Sequence, residues 1–270
     1  MPVEHYENFP VASYLLPKRL RHPVEVIYHF ARTADDFADE GEDEPVQRLA
    51  KLAQYRDYLQ QIEAGCVPAL PLFQQLAGVI QAHQLPMAPF YALLDAFSQD
   101  VNIHRYETFG DLIQYCRRSA NPVGQLLLHL YGAATPRNLA LSDGICTALQ
   151  LINFWQDIAR DWEKGRVYLP QEDLRRFHVT EAQIASQDSG GVWWGLMQFE
   201  IERTRKMLQA GAPLAKTLPG RLGLELRLIV LGGERILFHL HRVRGDVFRH
   251  RPQLQRWDWI YMLWRALLRR

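Results

Sequence analysis

Gln150-Leu-Ile-Asn153-Phe-Trp-Gln156-Asp157-Ile-Ala-Arg-Asp161-Trp-Glu-Lys-Gly165-Arg166-Val-Tyr168-Leu-Pro170 is the stretch on which the reading of this chain turns. Asn153, Asp157 and Asp161 recur at every fourth residue. On a helix that spacing stacks the three side chains on one face, each a turn above the last. The face continues an apolar stripe through Cys146, Leu149 and Ile152, with Phe154 and Ile158 close by. Two carboxylates and an amide turned towards a core are costly unless something compensates them. Mg²⁺ shared with a substrate phosphate is the natural compensator, because it takes oxygen ligands and keeps few from the protein itself. A solvated helix face is the competing reading of this stretch taken alone.

A second copy of the device lies far upstream. Ala34-Asp35-Asp36-Phe37-Ala38-Asp39-Glu40 places Asp35 and Asp39 four residues apart, with Asp36 and Glu40 as a further such pair. It closes an otherwise apolar segment, residues 24–34. Like charges at i,i+4 destabilise a bare helix by a few tenths of a kcal/mol, so local stability argues against choosing the pattern twice. Two acidic clusters facing one cavity would hold Mg²⁺ ions that bridge a diphosphate, a site for ionising an allylic or cyclopropylcarbinyl diphosphate.

The 270 residues suffice for one large helical domain, with hydrophobic residues at 48% and charged residues at 23%, as in ordinary globular proteins. A net charge of +1 gives no case for nucleic acid, which wants a strongly basic face. The three cysteines, Cys66, Cys116 and Cys146, make no metal or disulfide spacing, which fits a reducing compartment. Residues 1–8 are polar and acidic, unlike a secretion signal, and no apolar run reaches the roughly 20 residues that cross a bilayer. The expectation is a cytoplasmic protein, with peripheral contact to the inner membrane face left open.

Patterning is helical nearly throughout. Val46, Leu49, Leu52, Tyr55, Leu59 and Ile62 step by three or four, and further helices are predicted over 72–83, 87–99, 109–120, 123–131, 141–163, 191–216, 222–241 and 255–268. Breaks fall at Gly- and Pro-bearing turns, including Leu85-Pro86, Asn121-Pro122 and Pro219-Gly220. No alternating strand pattern of useful length appears. One all-α domain over 1–270 is expected.

Smaller features leave alternatives open. Lys18, Arg19 and Arg21 could neutralise a diphosphate or simply be solvated. Arg32, one turn before Asp35, could share a phosphate with the metal or pair with Asp36 at i+4. In Tyr115-Cys116-Arg-Arg-Ser119-Ala120-Asn121-Pro122-Val123-Gly124, Pro122 is expected to break a helix whose small residues make room for a long apolar ligand; a simple loop is the alternative. Trp257, Ile260, Tyr261, Trp264 and Leu268 share a face flanked by Arg256, Arg265, Arg269 and Arg270, which suits a membrane interface or a core-packing final helix.

Together these blocks, in this order, resemble the squalene and phytoene synthase family, head-to-head prenyl synthases of the all-α isoprenoid synthase fold, over about residues 5–252. Arg32-x-x-Asp35-Asp36-x-x-Asp39 resembles the first aspartate-rich motif. Gln150-x-x-Asn153-x-x-x-Asp157-x-x-x-Asp161 with Gly165-Arg166-Val-Tyr168-Leu-Pro170 resembles the second and its closing flap, which carries Lys164 ahead of it. Tyr115-Cys116 with Val123-Gly124 resembles the block whose tyrosine lies beside the reacting carbons. The chain departs from the family at Gln156, where arginine is usual, and at Asn8, where a diphosphate-binding serine is usual. It also departs at residues 119–124, and in Leu231-Gly232-Gly233-Glu234, where a tyrosine is replaced by glycine. The Glu7-Asn8-Phe9-Pro10-Val11-Ala12-Ser13 start and the Gly-Gly-Glu segment resemble one branch, the hydroxysqualene synthases of bacterial hopanoid pathways.

The resemblance implies conversion of presqualene diphosphate and water to hydroxysqualene and diphosphate, with Mg²⁺ and no NADPH. It implies functional coupling to a presqualene diphosphate synthase and a flavin-dependent reductase. Asp35, Asp39, Asn153, Asp157 and Asp161 would hold the metal. Asn8, Arg32, Asp36, Gln150, Arg166 and Tyr168 would contact the substrate, and Tyr115 would sit beside the cation. Tyr115, Asn121 and Gln150 are candidates for positioning the water. Gln156 is expected to leave the diphosphate region one positive charge short, which a single-diphosphate substrate tolerates better than two farnesyl diphosphates. Condensation of two farnesyl diphosphates to presqualene diphosphate, or to a phytoene- or squalene-type product, is the alternative.

Overall fold

A computed structural model describes residues 16–268; Asn8 lies outside the described residues. The chain is all-α: α1 (Lys18–Asp39), α2 (Pro45–Glu63), α3 (Pro71–His83), α4 (Ala88–Asp100), α5 (Phe109–Ser119), α6 (Asn121–Leu130), α7 (Pro136–Glu163), α8 (Gln171–Arg176), α9 (Glu181–Ala185), α10 (Trp193–Gly211), α11 (Leu214–Thr217), α12 (Gly220–Arg242) and α13 (Arg256–Leu268). Among the described residues the extended pairing is a single isolated bridge between Arg105 and Val167. Of the described residues, 16–103 and 117–139 form one compact unit and 104–116 and 140–268 another.

The first unit is built around α1. Its buried residues Leu20, Val24, Ile27, Phe30, Ala34 and Ala38 recur at helical spacing, and α1 packs against α2, α3, α4 and α6. Phe30 is fully buried, edge-on to Phe73 and Phe90 with ring centroids at 6.1 and 5.5 Å. α2 starts where sequence places a start: Pro45 stands in the first turn and Glu44 with Gln47 forms a capping box.

In the second unit α7 and α10 are brought together by two contacts. A Cβ on Gly211 would come within 2.6 Å of the Leu141 carbonyl, so only glycine allows this approach. Further along, the buried indole of Trp155 donates to Thr204 Oγ1 at 2.8 Å. α12 closes on the same pair at Gly233, where a Cβ would meet Leu208 at 2.9 Å and Ile152 and Leu149 at 3.2 Å. Gly233 therefore marks where three helices meet.

Three boundaries differ from the sequence-based expectation. The break expected at Asn121-Pro122 falls a residue earlier, at Ala120, and Pro122 stands in the first turn of α6, where a missing N–H costs nothing. The helix predicted over 191–216 ends at Gly211 and restarts as α11 after Pro213, whose ring excludes an interior helix hydrogen bond. α7 begins five residues earlier than the predicted 141, at Pro136.

Candidate active site

The first acidic motif occupies the last two turns of α1, with Asp35, Asp36 and Asp39 half-buried. Four acids at a helix C-terminus oppose the macrodipole, at about 0.3–1 kcal/mol for each exposed charge. Two arginines answer. Arg32 lies 2.6 Å from Asp36, 2.9 Å from Glu40 and 3.4 Å from Asp35. Burial works against its charge, but Asp35, Asp36 and Glu40 outweigh that and hold its pKa above the ordinary value. The i+4 ion pair to Asp36 is thus formed. Arg48 of α2 donates to the carbonyls of Ala38 and Gly41, satisfying acceptors that the end of α1 leaves open.

The second motif sits on the C-terminal half of α7. Asp157 is buried, and Asn153 and Asp161 are half-buried, stacked as the fourfold spacing requires. Asp161 is set by the way the helix ends. Gly165 is left-handed at φ 74°, its N–H bonds the Trp162 carbonyl at 2.9 Å, and Arg166 N–H bonds the Asp161 carbonyl at 2.7 Å. This is a Schellman termination, and it folds Arg166 back over the last turn. The segment after it, expected as a flap, is laced to residues 104–107. Val167 N–H bonds the His104 carbonyl, Gln171 N–H the Tyr106 carbonyl, both at 2.9 Å, and Arg105 donates to the Gly165 carbonyl.

An aromatic cluster adjoins the motif. Tyr168 stacks on Phe154 with centroids 3.8 Å apart and planes 8° from parallel. Tyr115 and Tyr106 lie 6.0 and 5.8 Å from Tyr168. Tyr115 and Tyr168 are both buried. Asp161 and Arg166 line a crevice beside Phe154 and Tyr168 of about 10 Å³, room for one water at most.

One residue that sequence reasoning did not single out is central here. Arg251, in the loop between α12 and α13, grips Asp157 with both faces of its fork: Nε to Oδ1 at 2.6 Å and Nη2 to Oδ2 at 2.9 Å. Its Nη2 is also 3.5 Å from Asn153 Oδ1. Nothing local in sequence ties position 251 to 157. Gln156 is buried, and its amide donates to the Pro252 carbonyl next to Arg251, so position 156 acts on the backbone of the loop that carries this arginine.

The donors on α7 are all oxygen, which suits Mg²⁺ rather than a softer metal. Among the described residues no three His, Cys, Asp or Glu side chains already converge as a metal centre. Gln150 lies half-buried one turn before Asn153. The three cysteines are free thiols, and burial pushes that of Cys116 up to about 12.

The family model described as squalene/phytoene synthase matches residues 3–258 of the chain. The chain belongs to the squalene/phytoene synthase family. It is 36% identical over 233 residues to the hydroxysqualene synthase of Rhodopseudomonas palustris, covering 86% of this chain and 78% of that one. To the phytoene synthase of Arthrospira platensis it is 28% identical over 281 residues, 98% of this chain and 90% of the relative. Its fold is similar to that of squalene synthase HpnC from Alicyclobacillus acidocaldarius, with a TM-score of 0.82 at 38% identity and coverage of 89% and 90%. The family is one of isoprenoid synthases, and the fold is the all-α isoprenoid synthase fold.

Proposed function

We propose that this protein is a Mg²⁺-dependent hydroxysqualene synthase, converting presqualene diphosphate and water to hydroxysqualene and diphosphate. The observation that carries the proposal is the bidentate Asp157–Arg251 pair set three residues, about one helical turn, from Phe154 and its aromatic neighbours. Such a pair brings anion-binding and cation-stabilising chemistry side by side. The likeness to hydroxysqualene synthases over most of the chain supports the same reading.

In the reaction the C–O bond to the diphosphate breaks and its electron pair leaves with the diphosphate. The resulting carbocation rearranges, a water oxygen bonds to it, and that water releases a proton. Mg²⁺ held through Asn153, Asp157 and Asp161, and through Asp35 and Asp39, would supply Lewis-acid neutralisation of the leaving group. Arg251 has the planar fork that suits a phosphate as well as a carboxylate, and it would follow the diphosphate from Asp157. Arg166 and Arg32 would add charge beside their own motifs. The faces of Phe154, Tyr168 and Tyr115 would steady the carbocation through their quadrupoles. The hydride of NADPH has no place in water capture. A presqualene diphosphate synthase would supply the substrate, and a flavin-dependent reductase would consume the alcohol.

The test is turnover of purified protein with Mg²⁺, offering presqualene diphosphate and farnesyl diphosphate separately and identifying products by mass spectrometry. Hydroxysqualene from the first and nothing from the second is expected. Product from farnesyl diphosphate would favour the second reading, head-to-head condensation, which the similarity to phytoene synthases over nearly the whole chain keeps in play.

A further inference from the structure

We infer that α13, with the arginine-lined cleft beside it, is a docking surface for an anionic phospholipid bilayer. α13 is held down by a narrow stripe: Asp258, Met262 and Ala266, four residues apart and nearly inaccessible. Asp258 is the anchor. It accepts from Arg235 Nε and His239 Nε2, both at 2.7 Å, and from the Gln255 backbone N–H at 2.8 Å. Off this stripe Trp259 and Arg265 are half-buried, and the other large side chains described on the helix lie outside. Trp257 is 78% exposed, Ile260 58%, Leu263 46%, Trp264 58% and Leu267 64%. These five exposed large apolar side chains stand on one helix, and Phe238 adjoins its Tyr261 in the cleft. Apolar surface on this scale is rare on a soluble protein unless it meets a partner.

Charge selects the partner. The one acid of α13 is buried and paired, so the exposed side of the helix carries only the cations Arg256 and Arg265. The sequence continues with Arg269 and Arg270. The adjoining cleft, about 610 Å³, is lined by Arg205, Arg235, Arg265 and Glu234; Arg205 pairs with Glu234 at 3.4 Å and Arg235 with Asp258, so Arg265 is the cation the cleft adds. A second copy of this chain paired through α13 would bring Arg256 and Arg265 close to their own counterparts. A phosphate-bearing surface complements them. Tryptophans and leucines at the headgroup boundary, with arginines reaching phosphates, are the composition of a helix lying in the interface. At 13 residues, or roughly 20 Å, the helix is too short to span the roughly 30 Å apolar core.

The experiment is co-sedimentation of the full chain with phosphatidylcholine vesicles, with and without phosphatidylglycerol, at low and high salt. Binding to the anionic vesicles, weakened by salt and accompanied by a blue shift of tryptophan emission, is expected. The double variant Trp257→Ser/Trp264→Ser should lose on the order of tenfold in binding while keeping its circular dichroism and its turnover of detergent-solubilised substrate. Failure to pellet with anionic vesicles, or equal binding by the variant, overturns the proposal. So does a dimer in analytical ultracentrifugation that the same substitutions dissolve, which would make the surface a self-association face.

Discussion

Asp35, Asp36 and Glu40, at the half-exposed end of α1, are answered from within two turns, by Arg32 on the same helix. Asp157, on α7, is buried and answered from 94 residues away, by Arg251. The difference is one of dielectric. Near the surface, solvent already screens the acids, and a local i+4 pair is worth only a few tenths of a kcal/mol. A buried carboxylate has lost its water and needs a partner with ideal geometry, and removing that partner is expensive. The motif on α1 can therefore be written locally. The motif on α7 depends on a loop placed by the tertiary fold.

The comparison breaks most visibly at Asp157. Asp157→Ala should lower Mg²⁺-dependent turnover on the order of a thousandfold, with the protein still folded by circular dichroism. Retained activity would sink the metal assignment. Arg251→Ala should cost roughly a hundredfold, and Arg251→Lys should recover only part of it, since an ammonium cannot bond two oxygens in parallel. An equal rate for the two variants would mean that charge alone matters there. Gln156→Leu keeps the volume but releases the Pro252 carbonyl; about tenfold lower kcat/KM is expected, from a misplaced guanidinium rather than a missing one. Arg32→Ala should shift the thermal midpoint by only a degree or so, in line with a solvated pair worth at most about 1 kcal/mol.

A smaller test concerns another buried charge cluster of the second unit. Arg203 is shared by Asp173 at 2.7 Å and the fully buried Glu200 at 2.7 and 2.9 Å, so two acids face one cation. Burial, with Asp173 adding to it against the pull of Arg203, raises the pKa of Glu200 to about 8. The folded state then holds a proton that the unfolded chain releases above its ordinary carboxylate pKa. This contribution is complete at low pH and is lost as pH rises towards 8. Thermal midpoints measured from pH 5 to 8 should fall for the parent chain and flatten for Glu200→Gln.

Much of the fold was legible because helical periodicity and turn chemistry are local. Pro45, Pro71 and Gly165 mark helix ends in sequence and in structure alike. Pro122 marks the break between α5 and α6 to within a residue or two, because a proline both ends the helix before it and suits the first turn of the next. Within the site, the stacking of Asn153, Asp157 and Asp161 follows from the period of a helix. The role of Gln156 did not, because its partner is a backbone carbonyl 96 residues on.

Sequence alone determined the all-α class, the two acidic motifs and the aromatic last helix, because each is written within a few turns of chain. Tertiary structure decided what those elements touch. It brought Arg251 to Asp157, tied Gln156 to the Pro252 carbonyl, stacked Tyr168 on Phe154, and buried Asp258 while leaving Trp257 and Trp264 outside. Each of these depends on contacts between distant segments, whose energies exist only once the helices have packed.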